Sequence, residues 1–396
     1  MSKVVKFILL IAFSGQFLNV FSQIQFSDDI VTGAKQTNIY FPLLKNKKVA
    51  VVANQTSMVN NVHLVDTLIY SKINAIKIFC PEHGFRGMAD AGKTINNSTD
   101  KKTGLPVISL YGKHKKPTAT DLNNVDIVIF DIQDVGVRFY TYISTLHYVM
   151  EACAENHIPL IVLDRPNPNG YYIDGPVLDT AYCSFVGMHP VPLVYGMTIG
   201  EYALMINGEH FLKNAVRCDI SVIPCKNYTH NKIYNLPVKP SPNLPNMRSI
   251  LLYPSLGLFE GTIMSVGRGT DFPFQVFGHP DYKKGKFKFT PQSKQGAENP
   301  KYKSIQCKGV NLQTIELQYI ISQKSINLQY LIDAYNGMKN KENFFNNFFY
   351  KLAGNKILQQ QIKSGISEQQ IHASWQQGIN KFKKIRENYL LYPDFE

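Results

Sequence analysis

Residues 73–87 read INAIKIFCPEHGFRG, and the reading of this stretch decides the fold. The apolar run predicts a strand over 73–79. It ends at Pro81-Glu82-His83-Gly84-Phe85-Arg86-Gly87, which sets a glutamate, a histidine and an arginine within five positions, next to two glycines. Groups able to transfer protons therefore stand on a loop at the carboxyl end of a strand. Open α/β sheets bind ligands outside those ends. Taken alone, the loop has a plainer reading, in which Glu82 and Arg86 pair with each other or with solvent.

The neighbouring segments end in the same way. Strands are predicted over 48–53, ending at Asn54; over 105–110, ending at Tyr111; over 126–130, ending at Asp131-Ile132-Gln133-Asp134; and over 159–163, ending at Asp164-Arg165-Pro166-Asn167. Helical patterns over 63–71 and 142–156 alternate with them. Such alternation predicts an α/β fold, a Rossmann-like and mostly parallel sheet with helices on both faces. All those strand ends then share one edge. Asn54, Glu82, Tyr111, Asp131, Gln133, Asp134, Asp164, Arg165 and Asn167 converge on it as one functional rim.

The rim does not read as a nucleotide site. The first βα turn, Asn54-Gln55-Thr56-Ser57-Met58, has no glycine where a dinucleotide fold needs G-x-G-x-x-G. Residues 87–94 match a phosphate-binding loop by letter. They begin after the strand end, however, and polar residues follow where a helix should open. There is no G-x-S-x-G elbow. Asp131 and Asp134 stand three apart, with Arg138, Tyr140 and Tyr142 after them. This pattern fits metal binding, a division of acid and base roles, or capping of the next helix with Arg138 as partner. Thr198-Ile199-Gly200-Glu201 is a capping box, which makes Glu201 structural.

Four prolines over 236–246 predict a stiff crossing segment. Beyond it, Glu260 and Gly267-Arg268-Gly269 form a second polar constellation; an arginine there can offer a carboxylate a bidentate fork. Helices are predicted over 326–338, 353–363 and 367–389, the last with Trp375, Ile379, Phe382 and Ile385 on its apolar face. The division is a signal peptide over 1–22, a Rossmann-like catalytic domain over 23–240 and a smaller α/β domain over 241–396. Lys3 and Lys6 followed by an apolar core are the signal-peptide pattern, so the chain reads as exported, periplasmic or extracellular, with no stable membrane anchor. The 396 residues carry a net charge of +13. Export turns that excess away from nucleic acid and toward an anionic envelope polymer. The six cysteines have no metal or scaffold spacing, and Cys218 and Cys225 are the one pair that could be bridged.

The motifs together resemble the NamZ-type exo-β-N-acetylmuramidases. The matching pieces are residues 81–87, 109–112, 130–142, 163–168, 196–201, 240–243, 260–262 and 265–270, spread over nearly the whole chain after the leader. One departure is Tyr195, where a histidine is expected before Gly-Met-Thr. The resemblance implies an active-site cleft between the two domains and removal of N-acetylmuramic acid from the non-reducing end of peptidoglycan fragments. It implies Glu82 as the catalytic residue. His83 would orient it, and Asp131 or Asp134 is the candidate second group. Candidate substrate-binding residues are Asn54, Arg86, Gln133, Arg138, Tyr140, Tyr142, Asp164, Arg165, Asn167, Asn243, Glu260 and Arg268. No metal or other cofactor is called for. The partners are muropeptides or MurNAc-GlcNAc saccharides. The rival readings are a non-catalytic muropeptide-binding protein and a metal-dependent envelope hydrolase using Glu82, His83 and Asp131.

Overall fold

Strands apolar along their whole length are stable only where both faces are covered. A computed structural model, describing residues 29–82, 84–86 and 97–395, arranges them so. The sheet strands are Val49–Ala53 (β1), Ala75–Cys80 (β2), Ser98–Thr99 (β3), Pro106–Ser109 (β4), Ile127–Asp131 (β5), Leu160–Leu163 (β6) and Ile220–Ile223 (β7). They form one seven-stranded sheet in the order β3-β4-β2-β1-β5-β6-β7. Every neighbouring pair is parallel except β3 with β4. The chain thus winds outward from β1 and returns to its other side at β5.

Alternation along each strand divides the side chains between two cores. Ala50, Val52, Phe79, Val128, Phe130, Leu160 and Val162 face helices Tyr142–Glu155 (α2) and Ile199–Gly208 (α3). Val49, Val51, Ala53, Ile78, Ile129, Ile161 and Leu163 face Leu64–Tyr70 (α1) and Tyr40. Burying one such aliphatic side chain contributes about 1.5–3 kcal/mol. The whole span of intrinsic β-propensity is about 1 kcal/mol, so burial rather than propensity fixes the register. β3, at two residues, and β7, which is only partly buried, carry too little pattern to be predicted.

After the crossing segment come Met247–Leu256 (α4) and a three-stranded antiparallel sheet of Val276–His279 (β8), Phe287–Phe289 (β9) and Cys307–Asn311 (β10), ordered β8-β10-β9. Five helices follow: Leu317–Gln323 (α5), Gln329–Gly337 (α6), Phe348–Ala353 (α7), Ile357–Lys363 (α8) and Glu368–Arg386 (α9). The helix predicted over 353–363 begins later, at Ile357, and a separate helix, α7, ends at Ala353. Gly354 takes φ +79° and ends α7, and a Cβ there would meet Arg138 Nη2 at 2.6 Å. The Thr198–Glu201 capping box is present, as is one at Ser367–Gln370 that opens α9. All six cysteines are free, Cys218 and Cys225 included.

The two parts share a core. The cluster on the α2 face runs without a break to Phe259, Phe277, Phe349, Trp375 and Phe382. Asp174 pins the far end of this junction. Its carboxylate accepts from Trp375 Nε1 (2.9 Å) and the amide of Ile326 (2.7 Å), and it lies 3.3 Å from His372 Nδ1. Burial opposes the charge on His372, but Asp174 and Glu368 outweigh it and raise the imidazole to about 9. A histidine raised above its unfolded value contributes stability that is complete below about pH 6.5 and is lost as pH climbs through the folded value. Thermal stability is therefore expected to fall between pH 6.5 and 9. His372→Gln should flatten that slope in melting curves taken across the range.

Candidate active site

The parallel strand ends do meet on one edge, but the residues there divide into two groups. One group faces inward and pairs with its own members, with only Asn54 Nδ2 and Asp134 Oδ1 left without a partner among the described residues. Asp131, wholly buried, is bound by Arg165 through Nε (2.6 Å) and Nη2 (2.9 Å). Asp164 accepts from Thr198 Oγ1, the amide of Gly200 and the Tyr392 hydroxyl. Gln133 donates to the carbonyls of Asp134 and Pro166, and Asn167 to that of Met197. Asn54 folds its side-chain oxygen back onto Thr56. Asp134 accepts from the Tyr195 hydroxyl and the amide of Gly136. Burial lifts the Asp134 and Asp164 carboxyls to about 6, against the pull of Tyr195 on the first and Tyr392 on the second.

None of these side chains lines the cavity described below, which moves the candidate second group away from Asp131 and Asp134. The reason is desolvation. Polar groups at the centre of a covered sheet edge must pair or pay heavily, and these pair. Arg138 is also internal. It is fully buried and donates to the carbonyls of Pro176, Val191, Leu352 and Ala353. Arg86 straps its own loop. It holds Asp100 with both Nη2 contacts near 3.0 Å and lies 4.4 Å over the ring of Phe85.

The other group opens on a cavity of about 630 Å³ between the sheet edge and the C-terminal part. The sheet wall supplies Glu82, Tyr111 and the run Phe139-Tyr140-Thr141-Tyr142. The crossing segment supplies Ser241, Asn243 and Leu244. The opposite wall supplies Tyr253, Glu260, Arg268, Phe274 and the loop Gly296–Pro300. The crossing segment is tied to the sheet wall chiefly through the Pro240 carbonyl, with Gln55 Nε2 also reaching the Lys239 carbonyl (3.3 Å). The Pro240 carbonyl accepts from Tyr140 Oη (2.8 Å), Tyr142 Oη (3.4 Å) and Gln55 Nε2 (3.0 Å). Asn243 then bridges to the opposite wall through the Gly296 carbonyl (2.7 Å).

Glu82 stands among hydroxyls. Thr141 Oγ1 donates to it at 3.4 Å, and Tyr111 is hydrogen bonded to it. Burial and then the Glu82 charge push the Tyr111 phenol up, so it stays a donor. His83 lies outside the described residues, as do residues 87–94. Across the cavity, Gly267 (φ +78°) and Gly269 (φ +82°) allow the turn that presents Arg268. A Cβ on either would meet an atom at 2.6 Å or less, so these glycines serve the turn itself. Arg268 Nε donates to Glu260 (2.8 Å), and its guanidinium rests 4.9 Å over Phe274. Burial opposes its charge, but Glu260 prevails and holds the pKa above its usual value. Among the described residues no hydrogen bond occupies its two terminal nitrogens. Nor do three His, Cys, Asp or Glu side chains gather there as a metal-holding group.

The family models for the exo-β-N-acetylmuramidase NamZ match most of this chain, the N-terminal one over residues 49–248 and the C-terminal one over 251–392. The chain belongs to the NamZ family. It is 39% identical over 373 residues to the peptidoglycan β-N-acetylmuramidase NamZ of Bacillus subtilis strain 168, covering 89% of each chain. Two crystal structures of DUF1343 family proteins from Bacteroides fragilis share its fold. One is 49% identical with a TM-score of 0.87, the other 30% identical with a TM-score of 0.73. Each alignment covers 92% of this chain and 99% of the other.

In this NamZ chain, Tyr195 hydrogen bonds Asp134 behind the cavity wall, at the position where the motif led one to expect histidine. Of the residues singled out from the sequence, Glu82, Tyr111, Tyr140, Tyr142, Asn243, Glu260 and Arg268 meet at the cavity. Thr141, Tyr253, Glu298 and Asn299 meet there too without having been singled out. Thr141 sat inside a quoted motif, whereas the loop bearing Glu298 has no pattern to mark it. If Asp131 serves the core, Asp131→Asn should leave Arg165 buried without its counter-charge and cost about 3–5 kcal/mol. Urea unfolding measures this; unchanged stability would return Asp131 to the candidate catalytic groups.

Proposed function

We propose that this protein is an exported, exo-acting glycosidase that removes N-acetylmuramic acid from the non-reducing end of peptidoglycan fragments. The observation that carries the proposal is that Glu82 and Arg268 face one cavity from opposite walls, in a chain so closely related to a peptidoglycan β-N-acetylmuramidase. Residues 1–22 have the leader pattern, and no helix among the described residues is long and apolar enough to cross a membrane.

Glycoside hydrolysis needs an acid to protonate the leaving oxygen and a second group acting at the anomeric carbon or on water. Glu82 is the acid, oriented by Thr141 and Tyr111. The second group comes from the opposite wall, where Glu260 and Glu298 line the same cavity. Acidic groups on both walls favour a catalyst over a simple binder. The rings of Tyr140 and Tyr142, edge to face at 4.8 Å, give the sugar an apolar floor.

Muramic acid differs from N-acetylglucosamine by a lactyl ether with a carboxylate. Glu260 occupies only the Nε side of Arg268, so the two terminal nitrogens can take that carboxylate through parallel hydrogen bonds. Lys301 donates to the carbonyls of Thr262 (2.6 Å) and Glu260 (3.3 Å), which sets a second cation close to this corner.

Glu82→Gln keeps the shape and removes the proton. It should lower turnover of an unactivated muramide by about 10²–10⁴-fold, and near-normal turnover would end the acid assignment. Arg268→Ala should cost roughly 10- to 100-fold on a chromogenic muramide, the loss of charged hydrogen bonds. It should cost far less on the matched glucosaminide. An equal loss on both would give Arg268 to the general sugar site.

A further inference from the structure

The sheet-side lip of the cavity carries a charge that the chemistry above does not use. Phe185 lines the cavity from the tip of a tight turn in which Ser184 and Gly187 exchange both backbone hydrogen bonds at 2.9 Å. Its carbonyl accepts from Ser144 Oγ (2.7 Å), and its ring lies within 14° of parallel to Tyr148. The ring is thus fixed through the backbone and through helix α2. Lys115 Nζ stands over it, 4.5 Å from the ring centre.

Lys115 is unlike its neighbours. His114 pairs with Asp121 at 3.0 Å, and Lys116 with Glu151 and Glu155 at 2.6 Å each. Among the described residues no carboxylate pairs with Lys115. A cation on a phenylalanine face is held in place without being neutralised. Lys115 is also four residues along the chain from Tyr111, which touches Glu82. Glu82, Phe185 and Arg268 line one cavity, so a saccharide whose muramic acid is held at Arg268 can reach this lip with the sugar beyond the scissile oxygen.

We propose that Lys115, seated on Phe185, reads a carboxylate carried by the aglycone, so that acidic aglycones are preferred over neutral ones. This rests on the muramidase reading. The carboxylate could belong to the lactyl group of the next muramic acid or to an acidic peptide attached there, and the test separates the two.

Three trisaccharides MurNAc-GlcNAc-MurNAc serve as substrates. In the reducing-end sugar, the lactyl group is a free carboxylate, a neutral methylamide or an amide of an acidic dipeptide. A partly exposed ion pair supports about a fivefold preference in kcat/KM at low salt, and added salt should erode it. The better of the two acidic forms identifies the source. Lys115→Gln should bring the acidic forms down to the neutral one, and Lys115→Arg should restore the preference. An intact preference in Lys115→Gln, or an equal loss on all three substrates, overturns the proposal. Calorimetric binding of the same trisaccharides to Glu82→Gln needs no turnover and distinguishes the two readings. Charge preference in binding without wild-type turnover defeats only the muramidase reading. Turnover without charge preference defeats only this one.

Discussion

A guanidinium with no counter-ion among the described residues lies buried between the two parts of this molecule. Arg138 is fully buried, and burial lowers its pKa to about 10. A charge in that position persists only if its donors are met. Carbonyls meet those of its two terminal nitrogens: Pro176 and Val191 from the segment that carries the Phe185 turn, and Leu352 and Ala353 from the end of α7, while Nε has no partner among the described residues. The two elements come from opposite parts of the chain, and both reach the cavity. Gly354 leaves room for the side chain, since a Cβ there would stand 2.6 Å from its Nη2. Two turns and one helix end are shaped around one cation. A lysine could not replace it, because a single ammonium cannot reach carbonyls on two sides.

The same economy explains how the sheet edge is divided. Polar residues close to the centre, after β1, β5 and β6, are covered by the turns that follow them, and each finds a partner inside. Glu82 follows β2, on the other side of β1, where the neighbouring β4 leads into Tyr111 and the edge is open. Chemistry here is located where the cover stops. The switch point between β1 and β5, where other open sheets hold ligands, is filled by the Asn54–Ser57 turn. Its Thr56 hydroxyl accepts from the amide of Gln133 (3.0 Å).

This bears on what the sequence could reveal. Strand positions were legible because burial on both faces leaves continuous apolar runs, and convergence of their ends followed from parallel pairing. Polarity at a strand end looks the same whether the group faces a neighbour or a cavity. Asp131 and Arg165 are thirty-four positions apart, and nothing local announces their pairing. Glu260 and Arg268 were legible because their glycine-rich surroundings signalled unusual backbone. Glu298 and Phe348 were not, since an acidic loop residue and an aromatic at a helix start have no distinctive spacing. The burial of Arg138 was illegible for the same reason: an arginine whose terminal nitrogens are met by carbonyls leaves no acidic partner in the sequence to betray it.

The cavity has two walls of different construction, yet they do not form a hinge. The sheet wall is fixed by strand pairing, and the opposite wall by the packing of Phe259, Phe277 and Phe349 into the same core as Val137 and Phe139. The Pro240 carbonyl, gripped by two tyrosines and a glutamine, anchors the segment between them. Asp174 and Arg386 fasten the last helix, Arg386 through the Gly196 carbonyl at 2.7 and 2.9 Å. A site built this way has its groups in position before the ligand arrives. Little ordering entropy is then charged to binding, and more of the interaction with a bound sugar remains for orienting the bond to be cleaved.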